Sequence, residues 1–207
     1  MYEIRLLDKS LAKTLIRLNH YTKSAGRVKF ALGAYRNNLL VGIGTFCNPT
    51  APSMATSISP ILHHSEVVEL MRFWVSQSQG KNSESKILSL MIKRLKSHYN
   101  YKVLVTYADP YANHVGTIYQ ATNFLYQGTK TMKGNNFLHC INNERLHQRS
   151  CVHKYGTTRK DVLTKIDSNY HRIKLPKKHR YFLILCKRSK RRILKTLKHN
   201  LVNYPKK

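Results

Sequence analysis

A carboxylate, a guanidinium and a phenol stand in this sequence where each can do chemistry. Asp109 follows an apolar, β-rich run at 103–107, and Pro110 then removes the N–H that a further strand residue would need. In open α/β sheets the carboxyl end of a strand is where ligands bind. A carboxylate there can take a proton or hydrogen bond from an amine. Past a polar loop with Asn113 and His114, Gly116 and Thr117 open a predicted helix that carries Tyr119. Its apolar positions are Ile118, Ala121, Thr122 and Leu125, and Gly128 ends it. Arg72 shares a face of a predicted strand at 66–75 with Leu70 and Trp74. Charged residues are seldom buried without a partner, so we read Arg72 as a cleft arginine that meets a carboxylate or phosphate. His20 and Tyr21 end a predicted helix, free to point into a cleft or to cap a turn. The plain alternative makes Asp109 a helix cap and Tyr119 core filler, and spacing alone leaves both open.

The elements that must position these groups are legible from periodicity. A strand at 2–7 precedes a helix to about residue 20, capped by Asp8 or Ser10, with Leu11, Leu15 and Leu18 on one face. A hairpin joins 28–35 to 39–47 around Arg36-Asn37-Asn38. Gly42 and Gly44 in its second strand predict a close backbone approach. The Pro/Ser/Thr-rich stretch 48–60 reads as a lid or substrate loop. After Gly80, Ser83 is the expected N-cap of a helix to about residue 99, with Leu88, Met91, Ile92 and Leu95 inward. A glycine turn feeding a helix N-terminus offers free N–H groups to an anion. One or two strands are expected over 129–141, another at 181–186, and a basic helix at the end.

Composition sets the partner. The 207 residues hold 37 Lys+Arg against 9 Asp+Glu, a formal net charge of +28. Such a chain repels itself unless it meets a polyanion, nucleic acid before an anionic membrane. The 42% hydrophobic content suffices for a core. Neither a membrane-length apolar run nor a signal peptide is read, so a soluble, cytoplasmic protein is expected. The four cysteines form no C-x-x-C pair. His139, Cys140, His147, Cys151 and His153 cluster loosely as zinc-ligand types, at spacings that match no standard finger.

The strand and helix order resembles that of the GCN5-related N-acetyltransferase (GNAT) fold, a mostly antiparallel mixed α/β sheet flanked by helices. There a Q/R-x-x-G-x-G/A turn holds the coenzyme A pyrophosphate. Here the turn reads Gln77 to Asn82, with Asn82 in place of the second glycine. Four blocks, N-H-Y-T-K-S (19–24), E-L-M-R-F-W-V (69–75), K-N-S-E-S (81–85) and Y-A-D-P…H-V-G-T-I-Y-Q-A-T-N (107–123), resemble the phage Mom family. The resemblance implies modification of adenine at N6 in double-stranded or locally opened DNA, by carbamoylmethylation, which protects phage DNA from restriction. It points to Tyr21, Arg72, Ser85, Asp109 and Tyr119 as functional residues. His20, Gly80, Asn82, Ser83 and His114 lie in the same motifs. Trp74 or Tyr21 is expected to stack on the base, and Gly80 to Ser85 to hold an acyl donor such as acetyl-coenzyme A. His20, Tyr21, Asp109 and His114 include iron-ligand types. A catalytic domain is expected over 1–186 (core 1–141) and a basic tail over 187–207. The rival readings are an N-acyltransferase on a protein or RNA amine and a non-catalytic DNA binder.

Overall fold

The computed structural model describes residues 1–130 and 137–206. In chain order the strands are β1 (Glu3–Leu7), β2 (Phe30–Arg36), β3 (Leu39–Cys47), β4 (Val67–Val75), β5 (Val103–Ala108), β6 (Leu125–Lys130), β7 (Phe137–Ile141), β8 (Glu144–His147), β9 (His171–Lys174) and β10 (Lys178–Ile184). The helices are α1 (Lys9–Asn19), α2 (Ser53–Ile58), α3 (Ser83–His98), α4 (Thr117–Ala121), α5 (Gln148–Tyr155), α6 (Lys160–Ile166) and α7 (Lys187–Lys195). Two compact units result. The first comprises Met1–Tyr107, Gly116–Gly128 and Arg180–Lys207; the second comprises Ala108–Val115 and Thr129–His179.

The first unit is built on a seven-stranded sheet of order β1-β2-β3-β4-β5-β10-β6. Strands β1 to β4 run antiparallel, and β4 pairs parallel with β5. The β2–β3 turn works because Asn37 and Asn38 accept φ of 50° and 61°, which most side chains resist. Asp8 caps α1 by accepting from the Leu11 N–H at 2.9 Å. The inward face of α3 is Ile87, Leu88, Met91, Ile92 and Leu95, as the period predicts. It seats against β3 at Gly44, where an added Cβ would come within 2.7 Å of the Met91 sulfur. That is the close approach the strand glycines signalled.

Two features open the sheet. Met71 is the extra residue of a bulge, since Thr45 pairs with Arg72 and Phe46 with Leu70. A bulge bends its strand and re-aims the next side chain. The β4–β5 pairing covers only Val67 to Glu69 against Val103 to Val105. Beyond it the Thr106 hydroxyl still reaches the Leu70 carbonyl at 3.2 Å, and the two strands then part.

Several expectations are corrected. Helix α1 buries Ala12 and Ile16, while Leu11 and Leu18 face solvent. Both choices share the helical period, and only the sheet decides which stripe faces it. The stretch 48–60 is not a lid: it folds into α2, whose Met54, Ala55 and Ile58 enter the core with Phe182 and Ile184. Helix α4 stops at Ala121, because Asn123 turns at φ 61° and β6 begins at Leu125. The basic helix expected at the end is present as α7. Ile193 of α7 is fully buried beside Ile58 and Phe182. The segment after it is tied down by Val202 N to Tyr126 O at 3.1 Å and Tyr204 Oη to Phe124 O at 2.6 Å.

The second unit has its own three-stranded sheet, β8-β7-β9, and its own core of Ile141, Cys151, Leu163 and Tyr170. Of the strands expected over 129–141, β6 and β7 cover the flanks, and the part of that span over 131–136 lies outside the described residues. The loose His/Cys cluster serves the fold instead. The His139 Nδ1 meets the Tyr170 hydroxyl at 2.8 Å, and the Cys151 thiol donates to Thr157 O at 3.3 Å.

Candidate active site

Where β4 leaves β5, Arg72 emerges half-buried from the bulge. Its Nε donates to Ser24 O at 2.8 Å and its Nη1 to Met71 O at 2.7 Å. These bonds fix the plane of the guanidinium and leave Nη2 toward Gly26. Gly26 is needed there: its φ is +63°, and a Cβ would press the Met71 side chain at 3.0 Å. Burial lowers the Arg72 pKa. Tyr21, Glu69, Cys47 and Tyr119, in that order, act against the shift. Arg72 is therefore a partly desolvated cation that interacts electrostatically with two phenols, a carboxyl group and a thiol. Such a cation attracts an anion more strongly than one in open water.

Tyr119 comes in from α4, which Gly116 starts at φ +84°. Its hydroxyl sits deep, hydrogen-bonded to Thr106, and burial raises its pKa. The ring packs against Phe124 and Tyr181, both at 5.5 Å between centroids. A phenol held neutral and fixed in this way is suited to give a proton or hydrogen bond. Tyr21 is the open member of the set, 51% exposed, with its ring 4.4 Å from that of His20. His20 is buried, and its Nδ1 takes the Thr22 N–H at 3.2 Å. Trp74 is packed against the cluster of Leu7, Ile16 and Ile43, which leaves Tyr21 as the exposed aromatic of the pair expected to stack on a base.

The turn before α3 carries the other group of expected residues. Gly80 lies at φ 76° with open space where a Cβ would stand. Asn82 lies at φ 64°, the left-handed conformation that a glycine would adopt. Asn82 therefore does the backbone work of the glycine missing from the motif. Ser83 is not the N-cap. Its buried hydroxyl donates to Gly80 O at 2.7 Å and closes the turn. Ser85 donates to Asn82 O at 3.1 Å and lines a hollow of about 550 Å³ with Lys86, Ser89, Leu90, Tyr2 and Ala121. A glycine turn feeding a helix N-terminus is the kind of backbone that can present N–H groups to an anion.

Asp109 and His114 belong to the second unit. The Asp109 carboxylate pairs with Lys178 at 2.8 Å and accepts from the Tyr111 N–H at 3.1 Å. The His114 N–H bonds to Asp109 O at 3.1 Å, so the loop folds back on its own carboxylate residue. Among the described residues no three or more His, Cys, Asp or Glu side chains are grouped to hold a metal. That corrects the iron and zinc sets considered above.

Sequence reasoning missed Glu69, a buried carboxyl group (7% exposed) interacting with Arg72, Cys47 and Tyr107. Its signal was an acid inside the run V-V-E-L-M. Thr45, opposite Arg72 on β3, is also buried, and its hydroxyl has no hydrogen-bond partner among the described residues.

A family model described as the Mom protein family matches residues 1–206. The chain belongs to the Mom protein family. A curated relative, the "Methylcarbamoylase mom" of Escherichia phage Mu, is 26% identical over 121 residues. That alignment covers 58% of this chain and 50% of the relative, so the Mom-family chain spans about half the length of the curated protein it matches. Among solved structures, the yncA protein of Salmonella typhimurium, determined with its cofactor acetyl-CoA, superposes with a TM-score of 0.51. It shares 12% identity, over 90% of this chain and 95% of that one. The spermidine/spermine N-acetyltransferase SpeG of Vibrio cholerae gives 0.50 at 11% identity, over 92% and 99%. This Mom-family chain thus has the GNAT acetyltransferase fold. The parting of β4 from β5 and the turn into α3 lie within it.

Proposed function

We propose that this chain is a transferase that modifies adenine at N6 in DNA, adding a carbamoylmethyl-type group that shields phage DNA from restriction enzymes. What supports this reading is the membership of the Mom family, together with the half-buried Arg72 held at the β4 bulge, where β4 and β5 separate, and its electrostatic interaction with Tyr21 and Tyr119. The relative from Escherichia phage Mu is named a methylcarbamoylase. The charge of +28 suits a polyanionic substrate. None of the described helices is long and apolar enough to cross a membrane, and we take the host cytoplasm as the place of action.

The adenine amino group is a weak nucleophile inside a stacked duplex, so the base must be flipped out or met in a locally opened strand. Tyr21, exposed and aromatic, stacks on the extruded base. Gly80, Asn82 and Ser85 would hold a coenzyme A thioester, whose acyl carbon would bond to N6 as the C–S bond breaks and the thiol leaves; acyl transfer alone does not give a carbamoylmethyl group, so a further step that brings in nitrogen and rearranges the product must follow. Arg72 binds the developing or resident negative charge on the donated group. Tyr119, kept neutral by burial, gives its proton toward the leaving group. Asp109, by the family resemblance, accepts the proton lost from N6.

The test is to express the chain in bacteria, digest total DNA and analyse nucleosides by mass spectrometry. A mass-shifted deoxyadenosine that is absent with Arg72→Ala supports the reading. An unmodified nucleoside profile refutes it and turns attention to an N-acyltransferase acting on another amine.

A further inference from the structure

The second unit carries a concave surface that none of the proposed chemistry uses. Leu146 of β8 and Arg149, Ser150, His153 and Lys154 of α5 line a cleft of about 600 Å³. Arg149 and His153 stand four residues apart on α5, as do Ser150 and Lys154, so both pairs project to one side. The unit's four acids are all occupied within it. Asp109 pairs with Lys178, Glu144 takes Lys154 on both oxygens at 2.8 Å, Asp161 pairs with Arg159, and Asp167 accepts from the Asn142 and Asn169 N–H groups. Arg149 is exposed and has no acidic partner among the described residues. The cleft therefore offers a free guanidinium, an imidazole and a hydroxyl around an apolar floor, with its one lysine already neutralised.

We propose that this cleft binds a phosphate of the DNA backbone, so that the second unit anchors the substrate duplex independently of its sequence. The inference rests on the reading of DNA as the substrate. Arg149 supplies the charged, fork-shaped contact that phosphates favour. Ser150 and His153 add hydrogen bonds, and Leu146 lies against the sugar. Contacts of this kind position a duplex without reading bases.

The experiment measures binding of the full chain to a fluorescein-labelled DNA duplex by anisotropy across a salt series. Losing one phosphate contact lowers the slope of log K against log salt by about 0.9. For Arg149→Ala the affinity lost between about 50 and about 200 mM salt should thus shrink about 3.5-fold. Lys165→Ala, an exposed cation on α6 outside the cleft, should leave the slope nearly unchanged. Arg149→Gln keeps the stem and gives the same reading should the alanine variant not fold. An unaltered slope with Arg149 removed, an equal drop with Lys165→Ala, or a wild-type chain that ignores duplex DNA overturns the proposal. Tight, Arg149-dependent binding without any altered deoxyadenosine supports the anchor while refuting the proposed reaction.

Discussion

Gly116→Ala is the sharpest probe of how the fold delivers Tyr119. Gly116 lies at φ +84°, and an added Cβ would stand 2.5 Å from the Tyr181 Cε2 and 2.8 Å from its Cζ. Two costs follow. A left-handed conformation costs a non-glycine residue about 1–2 kcal/mol. Overpacking against a fully buried ring costs about 1–3 kcal/mol more. The substitution also stiffens the unfolded chain, which returns about 0.4–1 kcal/mol. The net expectation is a loss of about 1–4.6 kcal/mol. For a domain of this size that lowers Tm by roughly 2–18 °C. Differential scanning calorimetry with a urea titration reads both numbers. Gly116→Ala combined with Tyr181→Leu separates the terms, because the leucine removes the atoms in conflict and leaves only the backbone cost. Modified deoxyadenosine should fall with Gly116→Ala, since α4 starts at this residue and carries the phenol bonded to Thr106. A Tm within about 2 °C of wild type, at about 1 kcal/mol per few degrees, would refute the packing argument.

Other outcomes follow from the same geometry. Arg72→Lys should abolish most nucleoside modification while the chain stays folded, because one ammonium cannot keep the Ser24 and Met71 carbonyls and also hold an anion. Asp109→Asn should do the same, and undiminished modification would remove Asp109 from the mechanism. Thr45→Val should stabilise the protein by about 1 kcal/mol in urea, since its buried hydroxyl has no partner among the described residues to lose. Burial pushes the Cys47 thiol from the usual 9 up to about 11, and Glu69 adds to the rise. The folded state thus holds that proton more tightly than the unfolded chain. Its stabilising contribution is complete below pH 9 and is lost as pH rises to about 11. Alkylation at pH 8 followed by peptide mass mapping should label Cys186 early, because the Ser189 hydroxyl bond lowers its pKa, and Cys47 late. Deleting residues 199–207 should lower Tm, as Val202 and Tyr204 close hydrogen bonds on β6 and Phe124.

The sequence by itself determined β1, α1, β2, β3, β4, α3 and β5 of the first unit, because period 2 and period 3.6 are written locally in runs such as 39–47 and 83–98. It also determined the cationic character and, through four short blocks, the family. Three matters were decided only by tertiary structure. Helix α1 had two plausible stripes, and the sheet chose Ala12 and Ile16 over Leu11 and Leu18. Stretch 48–60 looked polar enough for a loop, yet three of its side chains complete the core beside β10, a strand that follows more than a hundred residues later. The surroundings of Arg72 depend on a bulge at Met71 and on β4 parting from β5, and register between strands leaves no mark in either strand's own residues. Glu69 and Thr45 were hidden for that reason: a buried polar group is defined by its neighbours across the sheet, and those neighbours come from other parts of the chain.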